Sequence, residues 1–132
     1  YTLRGVPLLL DQGKFNEYQF YVGGFPSDLA IVDTRLSQVA SDFNLKKGAV
    51  TCTSDSIHDN QAVAVGDRDG YCSIFDLRTK KNRIEWQAHG SKTSVSKPRG
   101  IVGIFEVGDN FWTTVGCNDK NFKTWELENI QK

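Results

Sequence analysis

The 132-residue sequence has no methionine, no net charge and no long hydrophobic run. Because translation starts with methionine, we expect the chain to be a processed or excerpted piece of a longer protein. Its sixteen basic and sixteen acidic side chains cancel, which removes the overall field that favours nucleic acid or an anionic membrane. The apolar run at residues 6–10 is too short for a membrane span or a signal peptide. We therefore expect no nucleic-acid partner and no membrane contact by this piece.

Cysteine is also scarce: Cys52, Cys72 and Cys117 form no C-x-x-C pair, and an odd number cannot pair fully within one chain. The sequence has no N-x-S/T site either, so we expect an intracellular location, cytoplasmic or nuclear. P-loop, G-x-G-x-x-G and H-E-x-x-H motifs are absent. An EF-hand starting at Asp67 fails because Cys72 and Arg78 stand where glycine and glutamate are needed. We expect no metal, no cofactor and no enzymatic activity.

What the sequence does contain is an internal repeat, since residues 22–35, 65–78 and 115–127 align without gaps. In each segment a glycine is followed ten residues later by an acidic residue that closes an apolar strand, at Asp33, Asp76 and Glu126. These residues are 43 and 50 positions apart, at or just above the roughly 40 to 45 residues of a four-stranded propeller blade. The sequence therefore predicts an all-β fold, a partial β-propeller of about three four-stranded antiparallel blades.

The blades are expected at residues 5–45, 46–90 and 91–132, each with short strands between turn-forming residues. Only six residues follow Glu126, too few for a connector and a fourth strand, so the last blade should lack its outer strand and lie at the C-terminal end of its propeller. Three blades cannot close a ring, so the remaining blades of the same propeller are expected partners. The strands are predicted at residues 6–10, 18–22, 29–32, 39–43, 49–53, 61–65, 71–75, 83–87, 101–106, 111–115 and 122–127.

At these residues the chain resembles the WD-repeat family. In the third repeat Ala88-His89 stands for the family's Gly-His, Asp119 for its turn aspartate and Trp125-Glu126 for its Trp-Asp pair. The resemblance implies a structural relay of His, a hydroxyl residue, Asp and Trp, and the alignment places Val115 at the hydroxyl position with Thr113 and Thr114 nearby. Asp69 is the corresponding aspartate of the middle repeat. The resemblance also implies a non-enzymatic scaffold that binds other subunits of a multiprotein complex.

An Asp-x-Arg sequence ends two consecutive third strands, as Asp33-Thr34-Arg35 and Asp76-Leu77-Arg78. Their equal register predicts both arginines at one rim, where guanidinium groups could bind a partner's carboxylates. This resembles the WDxR signature of WD-repeat substrate receptors for cullin ubiquitin ligases. The alternative is that each arginine pairs with its own aspartate or caps the strand edge.

The connector at residues 90–100 is longer than packing requires, and it carries Lys92, Lys97 and Arg99 among hydroxyl residues. In the WD-repeat layout it shares its face with the turns that contain Phe25 and Arg68, so these five residues are candidates for binding an acidic partner segment. Phosphorylation of Ser94 or Ser96 is conceivable there. The alternative is a solvated loop without a partner.

Three classes of function compete. A scaffold is favoured over a membrane-trafficking protein of the BEACH type, to whose terminal propellers residues 75–89 have a loose likeness, and over an enzyme with a site in the channel mouth. His89 with Asp119 could be an acid–base pair, and His58 with Cys52 or Cys72 a thiolate pair. No nucleophile or third group stands at a spacing that would complete a catalytic site around His89 and Asp119. Cysteines within strands usually act as small core residues, which argues against the thiolate pair.

Overall fold

The computed structural model describes residues 3, 5–13, 17–45, 48–90, 100–117 and 122–130. These residues form three antiparallel sheets of four, four and three strands, stacked in chain order. Within the described ranges the stack does not close on itself. The predicted all-β fold, a partial propeller whose last blade has three strands, is confirmed.

The strands lie close to their predicted positions and are joined in simple sequential order. The first sheet contains β1 (Val6–Gln12), β2 (Gln19–Phe25), β3 (Asp28–Asp33) and β4 (Ser41–Asn44). The second contains β5 (Val50–Asp55), β6 (Ala62–Asp67), β7 (Tyr71–Asp76) and β8 (Lys81–Gln87). The third contains β9 (Ile101–Gly108), β10 (Phe111–Gly116) and β11 (Phe122–Glu126).

The prediction for the last strand was one residue too long, because Leu127 begins a short helix, α1 (Leu127–Ile130). The Leu127 N–H donates to the Asn110 carbonyl at 3.0 Å and so extends the pairing of β11 with β10 by one position. Equivalent bonds of 2.8 Å join Thr34 to Tyr18 and Leu77 to Gln61 in the other sheets. Among the described residues, no helix has the length and apolar character needed to cross a membrane.

Glycines in the second strands allow neighbouring sheets to pack closely. A Cβ on Gly23 would lie 2.5 Å from Val50 Cγ1, and one on Gly66 would lie 2.7 Å from Ile101 Cγ2. Val50 and Ile101 each begin the first strand of the next sheet, where a β-bulge shifts the pairing register. A larger side chain at either glycine would push the sheets apart.

The core lies between the sheets in two clusters of buried residues. Between the first and second sheets the side chains are mainly aliphatic and aromatic, with Phe43 and Phe75 rings 4.8 Å apart. This cluster comprises Tyr21, Leu29, Ile31, Val50, Val63, Val65 and Phe75. The cluster between the second and third sheets includes Cys52, Ala64, Cys72, Ile74, Trp86, Ile101, Ile104 and Trp112. Among the interior strands, β3 and β6 carry buried apolar side chains on both faces.

The outer faces of the stack expose large apolar side chains. On β1, Leu10 is 71% exposed, and Val6 and Leu8 are also exposed. At the other end Phe122 is 71% exposed, together with Phe105 and Val107 of β9. Contiguous exposed apolar surface of this kind is typical of a face that packs against another protein element.

Candidate functional site

The third strands of the first two sheets end at one edge, which we call the arginine rim; it carries Asp33, Arg35, Asp76 and Arg78. Arg35 donates from Nε to Asp33 Oδ1 at 2.9 Å and from Nη2 to Oδ2 at 2.6 Å. Its guanidinium carbon also lies 4.8 Å from the centre of the Tyr18 ring. The hydrogen bonds from Arg35 lower the pKa of Asp33 to about 2. Arg35 thus pairs with its own aspartate.

In the second sheet Asp76 has a different main partner. Arg83, on β8, donates from Nε to Asp76 Oδ2 at 2.9 Å and from Nη1 to Asp59 Oδ2 at 2.7 Å. The backbone N–H groups of Arg78 and Thr79 donate to Asp76 Oδ1 at 2.8 and 3.2 Å. Burial raises the pKa of Asp76, but the hydrogen bonds from Arg83 and these N–H groups outweigh it and lower the pKa to about 2.

The two arginines of the rim are therefore not equivalent. Arg78 Nε lies 3.7 Å from Asp76 Oδ1, beyond hydrogen-bond distance, and its side chain is 64% exposed. Arg35 is similarly exposed at 57%, but two hydrogen bonds hold its guanidinium against Asp33. Of the two, Arg78 has the guanidinium that is better placed to donate to a partner.

The opposite edge, which we call the connector rim, carries the turns after β2 and β6 and the start of the connector that follows β8. Leu45 N–H donates to Ser27 O at 2.8 Å and Ala88 N–H to Gly70 O at 2.9 Å, which ties each turn to a connector. Phe25 is half exposed and Arg68 is exposed here. Lys92, Lys97, Arg99, Ser94 and Ser96 lie outside the described residues.

A hydrogen-bonded group at the base of the connector joins His89, Thr114 and Trp125. Thr114 Oγ1 lies 2.8 Å from His89 Nε2 and accepts a hydrogen bond from Trp125 Nε1 at 2.9 Å. Thr114 is fully buried, and His89 is 1% exposed. One hydroxyl thereby satisfies two ring nitrogens from different segments of the chain.

The hydroxyl residue was misplaced by one position in the sequence alignment, which had Val115 there. Successive residues of a strand point to opposite faces, so the side chain of Thr114 reaches His89 while Val115 lies on the other face. Asp119 lies outside the described residues. Asp69 is exposed on the turn after β6, and its carboxylate lies against Gly48.

Acidic residues on first strands reach back to the preceding sheet, an arrangement that the sequence reasoning missed. Asp55 Oδ1 accepts a hydrogen bond from the Tyr21 hydroxyl at 2.7 Å, and burial followed by this bond raises the pKa of Tyr21. Glu106 Oε2 accepts hydrogen bonds from Ser56 Oγ at 2.6 Å and Ile57 N–H at 2.8 Å. The sequence does carry a signal for these contacts, because Asp55 and Glu106 each lie at or near the end of the first strand of successive repeats.

A polar cleft of about 150 Å³ opens between the second and third sheets. His58, Glu106 and Asp109 line it, and one ligand atom from each lies within 4.8 Å of the others. Ile74, Trp112 and Leu127 line its apolar side. The sequence reasoning had considered His58 only with the cysteines.

Cys52 and Cys72 do not have the character of reactive thiolates in this structure. Cys52 and Cys72 are buried, and all three cysteines are free thiols. Burial raises the pKa of Cys52 to about 12 and raises that of Cys72 as well. Both thiols are therefore protonated at neutral pH, which fits their place in the core between the second and third sheets.

Comparison of the chain with models of known protein families and with curated proteins found no match.

Proposed function

We propose that this chain is a non-enzymatic scaffold for protein–protein interactions, part of a WD-repeat propeller that presents its rims to other subunits of a complex. The observation that carries the proposal is Arg78, whose guanidinium is exposed at the arginine rim while Arg83 neutralises the neighbouring Asp76. Exposed arginine on a rigid turn is a frequent anchor in protein interfaces because it donates several hydrogen bonds in a fixed plane.

Two further observations support the WD-repeat part of the proposal. The hydrogen bonds that Thr114 makes with His89 and accepts from Trp125 join residue types that form the structural relay of that family. The exposed apolar faces at both ends of the stack are suited to contact with further blades. Both faces of the middle sheet are covered in this way by the neighbouring sheets. If further blades belong to the same chain, an immunoblot of cell extract should detect a polypeptide larger than these 132 residues. Detection of a 132-residue product alone would contradict the proposal that the same chain contains further blades.

Charge reversal at the arginine rim tests the scaffold proposal. Arg78→Glu should weaken the capture of partner proteins by at least about tenfold while leaving the fold intact, since Asp76 keeps its bonds to Arg83. Lys81→Glu, an exposed charge reversal on the adjacent strand β8, is the matched control and should have little effect. Capture would be quantified by mass spectrometry and folding by circular dichroism.

The connector rim is tested in the same way by reversing Lys92, Lys97 and Arg99 together, and Phe25→Ala and Arg68→Glu extend the test to the two turns. If neither the Arg78 substitution nor these changes altered any captured protein, both rim assignments would be wrong. Arg35→Glu is less informative, because it also breaks the bidentate pair with Asp33.

A substrate receptor of a cullin ubiquitin ligase is the second candidate function, and Arg78 is the observation that favours it. The Asp-x-Arg sequence resembles the signature of such receptors, and in the second sheet its arginine is exposed. Co-purification with a cullin that is lost in Arg78→Glu and kept in Lys81→Glu supports this function. Captured partners without a cullin would leave the general scaffold as the better description.

A further inference from the structure

The cleft between the second and third sheets brings together three side chains that are distant in sequence. His58 belongs to the turn between β5 and β6, Glu106 to β9, and Asp109 to the turn between β9 and β10. Their nearest ligand atoms lie within 4.8 Å of one another. Zinc binds imidazole nitrogen and carboxylate oxygen at about 2.0 to 2.2 Å, so a small movement of the exposed His58 and Asp109 side chains would bring all three onto one ion.

The backbone around these residues is held by hydrogen bonds, which limits the reorganisation needed. Ser56 Oγ accepts hydrogen bonds from the His58 and Asp59 N–H groups at 3.2 and 3.1 Å, which shapes the turn that carries the imidazole. The same hydroxyl donates to Glu106 Oε2 at 2.6 Å and fixes that carboxylate. Hydrogen bonds to ligand side chains of this kind orient them for a metal.

The local charge also favours a cation. Three carboxylates, those of Asp59, Glu106 and Asp109, line the cleft, together with one guanidinium group, that of Arg83. Arg83 is already bound to Asp59 and Asp76. The charges of Glu106 and Asp109 are thus left without an ion-pair partner among these groups.

We propose that His58, Glu106 and Asp109 form a site for a divalent transition-metal ion, and that the bound ion clamps the second sheet to the third. One imidazole and two carboxylates are ligands that suit Zn²⁺ and leave a coordination position for water. The site goes beyond the proposed scaffold function, because it does not involve either rim arginine. It would make the angle between two sheets dependent on metal.

Zn²⁺ binding to the metal-free chain, followed by isothermal titration calorimetry, tests the proposal. We expect one ion per chain and an affinity at least about tenfold lower in His58→Ala and in Asp109→Asn, because loss of even an outer-shell partner costs that much. Asp109→Asn removes the charge but keeps a residue suited to the tight turn. Zn²⁺ should also raise the melting temperature of the parent chain and not that of His58→Ala.

Two variants separate this site from other metal-binding groups. Asp69→Asn removes an exposed carboxylate on the connector rim, and Cys117→Ser removes the least buried thiol; both should bind Zn²⁺ as the parent does. Circular dichroism of each metal-free variant checks that it is folded. No saturable binding, undiminished binding in folded His58→Ala, or binding lost in Cys117→Ser would each overturn the proposal.

Discussion

Replacing Thr114 by valine isolates the contribution of one buried hydroxyl. Valine has nearly the same shape and is equally suited to a strand, so the change removes the oxygen and little else. That oxygen lies 2.8 Å from His89 Nε2 and 2.9 Å from Trp125 Nε1. His89 is almost completely buried and Trp125 is half buried, so water can replace the lost bond at Trp125 more easily than at His89.

A typical hydrogen bond contributes about 1 kcal/mol, and a buried polar group without a partner costs about 1 to 3 kcal/mol. We therefore expect Thr114→Val to lower the free energy of unfolding by about 2 to 4 kcal/mol, measured from urea denaturation midpoints at constant m value. Thr114→Ser keeps the hydroxyl and should retain most of this stability.

Thr113→Val is the matched control on the same strand. Among the described residues, the Thr113 hydroxyl has only a long contact of 3.3 Å, with Oγ1 of the exposed Thr124. We expect it to cost less than about 1 kcal/mol. Equal losses in Thr113→Val and Thr114→Val would refute the importance assigned to the His89–Thr114–Trp125 group.

Two further predictions concern sheet packing and pH. Gly66→Ala should lower the free energy of unfolding by about 1 to 3 kcal/mol, because the added Cβ would lie 2.6 Å from Cys52 Sγ. Gly103→Ala is the control and should be nearly neutral, because its Cβ would meet no atom within 4 Å. Equal effects of the two substitutions would contradict the close packing at Gly66. The lowered pKa of Asp76 in the folded chain means that its contribution to stability is present above its ordinary pKa of 3.8 and is lost as the pH falls towards 2. Asp76→Asn should therefore flatten the decline in unfolding midpoint between about pH 4 and pH 2, and an unchanged slope would show that the Arg83 pair does not produce it.

The repeat made much of the fold predictable from the sequence. A glycine and an acidic residue ten positions after it mark the second and third strands of each sheet, and local turn residues separate the strands. Leu127 was assigned to a strand but begins α1, and residues 18, 39, 40, 49 and 61 were predicted in strands but lie just outside them. The ends of strands depend on pairing with neighbouring strands, which local patterns do not determine.

The candidate sites were less predictable. For the arginine rim the sequence left two alternatives open. The structure shows that Arg35 pairs with Asp33, while Asp76 pairs with Arg83 of β8 instead of with Arg78. The repeat alignment placed the hydroxyl position at Val115, with Thr114 nearby, because it gives the position of a residue along a strand and not the partner that its side chain contacts.

The sequence by itself determined that this chain is a stack of antiparallel sheets, because strand formation follows from apolar patterning and turn chemistry within about ten neighbouring residues. Only the tertiary structure decided that His58 meets Glu106 and Asp109, and that Tyr21 meets Asp55. Those contacts cross from one sheet to the next. They depend on the spacing that Gly23 and Gly66 permit between sheets, a distance that no local pattern encodes.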